Sequence, residues 1–265
     1  MNFVFASDQG HYHYLLTSFL SLSEYIDQGD TVHVVDYGIH SRSALKRIGE
    51  DYGINLRFHL GISSGTKPHG RFPPAAFGRL FVNKFCTGPT IYLDCDTICL
   101  DQPKKEWPAF EGSNQLIGMV KQTPGIFTRL KFRLCNLKHN KYNSGVIFLV
   151  PEACEDELNS ALKYAYEESL MFPDQEGLNF AFIASAFPLS PSSNNMTMFL
   201  SEDTAVAHFA HQKPEDMFGW DPRKKVFLKH FAAAQTFDPN LSLQERPFRR
   251  KVLRYIRLML REIGI

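Results

Sequence analysis

Asp94 and Asp96 stand one residue apart inside IYLDCDTICL (residues 91–100), a run whose other members have the composition of a buried strand. On an extended strand alternate side chains share a face, which would put the two carboxylates about 7 Å apart on one side. Like charges beside an apolar core repel each other and resist desolvation, so something must offset them. A divalent cation is the natural candidate, because hard cations take carboxylate oxygens. The competing reading is a strand that has already become a solvated turn, where acids are common.

The surrounding elements sharpen the choice. NFVFAS (2–7) reads as a strand ending at Asp8, and helically spaced Tyr14, Leu15, Phe19, Leu22 and Ile26 follow. TVHVVDYG (31–38) is a second strand, ending near Asp36. A helix at 41–53 has Ser41 as N-cap and Gly53 as C-cap, and NLRFHL (55–60) is a third strand. Residues 61–74 are rich in Gly, Ser and Pro and read as a loop, 75–84 as a short helix, and 91–100 as one strand. QLIGMVKQ (115–122) and SGVIFLV (144–150) are further strands, separated by an irregular basic stretch at 129–141. Helices are expected at 154–170, from about Asp174 to 184, and at 248–263, with a loop at 188–198. This alternation predicts an α/β fold with a mostly parallel, Rossmann-like sheet flanked by helices. Ligands of such sheets bind beyond the carboxyl ends of the strands, where Asp8, Asp36 and the Asp94/Asp96 pair all fall.

The chain has 265 residues, 44% of them apolar, enough for one large domain with a core. Its net charge of +1 excludes a polycation built for nucleic acid, but the charge is uneven. From Glu245 onward seven Lys/Arg face two acids, so a basic tail follows a mildly acidic body. Five cysteines without paired spacing read as reduced thiols. MNFVFASDQG lacks the basic start of a signal peptide, and no uninterrupted apolar run is long enough to span a bilayer. A cytoplasmic protein is expected.

Six segments, in order, resemble glycosyltransferase family 8, the retaining transferases that include glycogenin and lipopolysaccharide galactosyltransferases. VFASDQGHYHYLLTSFLSL is similar to the family's opening strand, Asp and helix, and AAFGRLFV to its arginine-bearing helix. IYLDCDTICL resembles Y-L-D-x-D, YNSGVIFL resembles F-N-S-G-V, DQEGLN resembles D-Q-D-x-L-N, and HFAHQKP resembles H-F-x-G-x-x-K-P. The resemblance implies a GT-A fold over residues 1–240 and transfer of a hexose from a nucleotide-sugar, usually a uridine diphosphate sugar, to a glycan or lipid-linked saccharide. It implies Mn²⁺ (or Mg²⁺) on Asp94, Asp96 and His208, a mixed oxygen and nitrogen set that suits Mn²⁺ better. Asp8 would lie by the uracil or ribose, Arg79 by the donor sugar or phosphates, and Asn143 and Ser144 by the sugar. Asp174 and Gln175 would stand near the anomeric carbon, and Lys213 on the diphosphate.

Each residue also has a plainer reading. Arg79 would be a surface helix residue, Asn143-Ser144-Gly145 a turn, Asp174 an N-cap and His208 a structural histidine. The chain departs from the family pattern where His211 replaces a Gly, Lys213 arrives one residue early and Glu215 replaces a Trp. Those departures leave open a non-catalytic nucleotide-sugar-binding protein on the same fold, and whether His211 replaces or supplements His208. A further alternative is a haloacid-dehalogenase-like phosphatase, in which the first Asp of a D-x-D is a nucleophile. That motif normally opens the catalytic domain, whereas here some 90 residues of α/β pattern precede it.

Residues 241–265 form the basic tail. On a helical wheel Phe248, Val252, Leu253, Tyr255, Ile256, Met259, Leu260 and Ile263 make one arc interrupted by Arg249, and Arg250, Arg254, Arg257 and Arg261 lie opposite. This is the pattern of a helix lying in an anionic membrane surface, and lipopolysaccharide biosynthesis at the inner face of a membrane would suit it. The other reading is a helix docked on the domain by its apolar side.

Overall fold

The computed structural model describes residues 1–62, 72–122, 141–168, 172–197, 199–210 and 212–262. The expected loop at 61–74 and basic stretch at 129–141 fall largely outside them, as does His211.

Seven strands form the main sheet: β1 (Asn2–Ser7), β2 (Thr31–Asp36), β3 (Asn55–Leu60), β4 (Thr90–Leu93), β6 (Ile117–Lys121), β7 (Tyr142–Leu149) and β8 (Ala186–Leu189). Their spatial order is β3-β2-β1-β4-β7-β6-β8. All run parallel except β7, which is antiparallel to both β4 and β6. The central strands β1, β4 and β7 are buried along nearly their whole length because both faces of the sheet are covered there, whereas the edge strand β3 is partly exposed. On one side Phe3 and Phe5 pack with α1 (Tyr12–Ser23) and α2 (Ser43–Asp51). On the other, Val4 and Ala6 pack with a 3₁₀ helix at Pro74–Lys84, α4 (Glu155–Glu167) and α5 (Pro173–Phe182). The remaining α-helices among the described residues are α3 (Trp107–Glu111), α6 (Pro222–Phe237) and α7 (Phe248–Glu262).

The run at 91–100 is not one strand. It leaves the main sheet after Leu93, turns at Asp94–Asp96, and resumes as β5 (Thr97–Cys99), which pairs antiparallel with β9 (Val206–His208) in a separate two-stranded sheet. Helix α1 makes the departure possible. Ser21 Oγ accepts from Cys99 N at 3.0 Å, and Ser18 Oγ lies 3.0 Å from Thr97 Oγ1, so the displaced strand keeps its polar groups paired. The two aspartates therefore sit on a buried turn between two sheets, a geometry that neither the extended strand nor the solvated turn describes.

Two boundaries also differ from the sequence-based expectation. β8 and a 3₁₀ turn at Pro191–Asn194 occupy part of the expected loop at 188–198; β8 is an edge strand, where Pro188 is tolerated. Helix α5 begins at Pro173, a residue suited to the first helical position, so Asp174 lies in the first turn and Phe172 is the cap.

Candidate active site

The chain builds β1, β2 and β3 outward in one direction and then returns to place β4 on the other side of β1. That reversal opens a crevice at the carboxyl ends of β1 and β4, the place where α/β sheets bind ligands. A cavity of about 780 Å³ lies there, and Ala6, Tyr92, Asp94, Asp96 and His208 contribute to its lining. Because β7 runs the opposite way, its first residues, not its last, reach this edge. Asn143 and Ser144 thereby line the cavity, and Asp94 N donates to Gly145 O at 2.8 Å.

His208 comes from β9, directly across from Thr97. One oxygen or nitrogen from each of Asp94, Asp96 and His208 lies within 4.8 Å of the others. The imidazole tautomer follows from the network. Asn194 Nδ2 donates to Asn143 Oδ1 at 2.7 Å, so Asn194 Oδ1 must accept from His208 Nδ1, 2.8 Å away. The Nε2 lone pair then faces Asp94 Oδ2 at 3.6 Å and Asp96 Oδ1 at 3.4 Å. Two carboxylates and a tautomerically fixed imidazole form a donor set that fits a divalent ion such as Mn²⁺.

Charge inside the pair is uneven. Burial pushes the Asp94 carboxyl above its ordinary value and the Asp96 charge adds to this, with Arg79 opposing. Burial would also raise Asp96, but the Lys213 ammonium in contact with it outweighs that cost and holds it well below the usual carboxylate range.

Arg79 is buried, not a surface residue. Gly78 brings its helix onto β1 so closely that a Cβ there would stand 2.3 Å from Ala6 Cβ, and Arg79 is thereby driven under the sheet edge. Its guanidinium donates to Asp94 Oδ1 at 2.6 Å and to Ser144 O at 2.7 Å, pairs with Asp174 Oδ2 at 3.2 Å, and lies over the Tyr92 ring. Arg79 thus ties together β4, β7 and the start of α5. Asp174, 6% exposed, is committed to this pair. Gln175 Oε1 accepts from Asn143 Nδ2 at 3.1 Å, so a chain of amides runs from His208 through Asn194 and Asn143 to Gln175.

The other expected residues are placed differently. Asp8 caps the turn Gln9–His11, accepting from His11 N at 3.1 Å, and lies 2.9 Å from His11 Nδ1. His11 lines the cavity, and Asp8 is held against it outside the lining. Asp36 is occupied by Gly38 N, Ile39 N and Arg42, and stays out of the cavity lining. Lys213 reaches the cavity with its ammonium 5.7 Å from the centre of the Tyr14 ring. Glu215, at the family's Trp position, accepts from Tyr14 Oη at 2.6 Å and so braces the Lys213 turn against α1. A phosphatase nucleophile at Asp94 has little support in this arrangement, since Arg79 claims that carboxylate.

Sequence reasoning missed Asn194 and Gly145. Asn194 lies in SSNN, which carries no signal beyond that of a polar loop, yet it is 1% exposed and sets the His208 tautomer. Gly145 was visible only as a turn residue.

No protein-family profile and no curated protein matches this sequence. Solved structures do match. The galactosyltransferase LgtC, in complex with donor and acceptor sugar analogs, superposes with a TM-score of 0.67 at 18% identity, covering 95% of this chain and 100% of that one. The fold is that of a GT-A glycosyltransferase. Two further solved structures that this chain resembles are the glycosyltransferase GlyE of Streptococcus pneumoniae TIGR4 and the bifunctional glycosyltransferase WbbM. GlyE gives a TM-score of 0.65 at 18% identity, over 89% of this chain and 62% of that one. WbbM gives 0.67 at 14%, over 98% of this chain and 52% of that one. On this GT-A scaffold the Asp94, Asp96 and His208 cluster lies at the edge where β1, β4 and β7 converge.

Proposed function

We propose that this GT-A protein is a metal-dependent retaining hexosyltransferase that moves a hexose from a uridine diphosphate sugar to a glycan or lipid-linked saccharide. The observation that carries the reading is the His208 imidazole, held by Asn194 so that its free lone pair joins two carboxylates above the cavity. A divalent ion held by Asp94, Asp96 and His208 would supply positive charge for a leaving diphosphate. The chain's own residues would do the rest. Lys213 is the cation poised to exchange Asp96 for phosphate oxygens. Asn143 and Ser144 present polar groups for a sugar. Asp174 is neutralised by Arg79, which disfavours a free carboxylate nucleophile and leaves the Gln175 amide as the group nearest the reacting carbon.

A melting-temperature screen of nucleotide-sugars, with and without Mn²⁺, tests this. A donor at a hundred times its Kd adds about 2.7 kcal/mol, a shift of several degrees. One nucleotide-sugar is expected to give that shift in Mn²⁺ alone and to be slowly hydrolysed. Shift without hydrolysis would favour the non-catalytic binding protein. If no nucleotide-sugar shifts the melting point, the donor reading fails.

We also propose that the protein works at the cytoplasmic face of an anionic membrane, through α7. Tyr255 anchors one edge of the helix by donating to Asp221, but Phe248, Leu253, Ile256, Met259 and Leu260 stay exposed beside Arg249 and Arg257. No helix among the described residues is long and apolar enough to cross a membrane. Replacing Leu253, Ile256 and Met259 by Ser is expected to lower partition onto anionic vesicles about tenfold or more while donor hydrolysis continues. Unchanged vesicle binding would remove the membrane role.

A further inference from the structure

The tail helix does more than face outward. Arg254 lies on the docked side of α7 and contributes to the lining of the donor cavity, together with Lys213. Its surroundings show how it is held there. Arg246 N donates to Glu215 O at 3.1 Å, and Arg250 Nε lies 3.0 Å from Asp216 Oδ1. These contacts dock α7 on the turn that carries Lys213. Asp216 is 2% exposed and is engaged closely by Arg250, whereas Arg254 Nε stands 3.9 Å from its other oxygen. Of the cations that line the cavity, Arg79 is paired with Asp94 and Asp174 and Lys213 with Asp96. Arg254 is therefore charged, close, and only loosely paired among the described residues.

We propose that Arg254 is a donor-binding residue, a second cation for the phosphates of a nucleoside diphosphate beside Lys213, so that the C-terminal helix completes the donor site. The inference rests on the transferase reading. Together with the Asp94 and Asp96 carboxylates, a diphosphate carries more negative charge than one divalent ion and one ammonium neutralise in a partly enclosed site. A guanidinium, always charged and forked, is suited to supply the remainder. It also gives α7 a role on the nucleotide side as well as the lipid side.

Full-length protein in Mn²⁺ is titrated calorimetrically with uridine, guanosine, adenosine, cytidine and thymidine diphosphates, and binding of the parent nucleosides is followed by ligand-observed NMR. Arg254→Ala is expected to weaken the preferred diphosphate about tenfold, the size of one charge-assisted hydrogen bond at a half-exposed site, and to leave the nucleoside unchanged. Arg254→Lys should recover most of the loss, and Arg257→Ala, on the exposed side of the same helix, should cause none. Equal diphosphate affinity in Arg254→Ala and the parent protein overturns the proposal. So does an equal loss of nucleoside binding. Asp216→Asn keeps Arg254 but removes its carboxylate; if it weakens the diphosphate as much as Arg254→Ala, the arginine acts by holding the turn and the direct contact is wrong. Should the parent protein bind no nucleoside diphosphate, the transferase reading itself fails, an outcome visible before any variant is made.

Discussion

Asp96→Asn is expected to cut Mn²⁺-dependent donor turnover by about a thousandfold, the loss of roughly 4 kcal/mol of charge stabilisation. Asp96 is the member of the pair whose ionised form the site favours more, because the Lys213 ammonium in contact with it outweighs the cost of its burial. An amide oxygen in its place is neutral and a weaker ligand for a hard cation than a carboxylate. The fold should tolerate the change. Lys213 is about a third exposed on its side chain and can turn to water, and Asp94 loses a like-charged neighbour that pushes its carboxyl up. Manganese titration followed by electron paramagnetic resonance separates the two effects. The variant should melt within about a degree or two of the parent protein, yet bind the ion at least a hundredfold more weakly. A variant that retains full Mn²⁺-dependent turnover would dissolve the metal role assigned to this turn.

Gly145→Ala tests the same site through sterics alone. A Cβ at this position would stand 2.0 Å from His208 Cε1 and 2.5 Å from Nδ1. Gly145 has no left-handed backbone to preserve, and the atoms an alanine would meet first are all of the imidazole. The ring has little room to retreat, being 4% exposed and tied to Asn194. Overpacking of this kind costs about 1–3 kcal/mol, and a displaced first ligand should weaken Mn²⁺ about 10–100-fold. The double variant Gly145→Ala/His208→Ala removes the collision. It should regain most of the melting temperature and none of the manganese response, a non-additivity that marks direct contact. Should the single variant melt and bind manganese like the parent, the close packing of His208 on β7 is not as described.

Much of the site was readable in the chain because the chemistry-bearing types are few and their neighbours distinctive. Asp94 and Asp96 stand out in an apolar run; Asn143 and Ser144 precede one; Asp174 and Gln175 open a helix. The strand and helix alternation was readable because apolar spacing follows backbone period. Arg79 was not. Nothing local says that an arginine on a short helix will be buried, since its burial depends on Gly78 meeting Ala6 on a strand far away in sequence. Asn194 and the Tyr14–Glu215 brace were hidden for the same reason.

The sequence by itself determined the alternation of elements, the acids near the carboxyl edge of the sheet and the two-sided character of the last helix. These follow from periodicity and residue type, which act between near neighbours. The tertiary structure alone decided that residues 91–100 split between two sheets, that β7 runs backwards to bring Gly145 beside Asp94, and that Arg254 turns inward while Arg257 on the same helix faces out. Those outcomes turn on strand order and on which buried polar group finds a partner. Such pairings join residues up to about two hundred positions apart, as Tyr14 joins Glu215, and no local pattern encodes them.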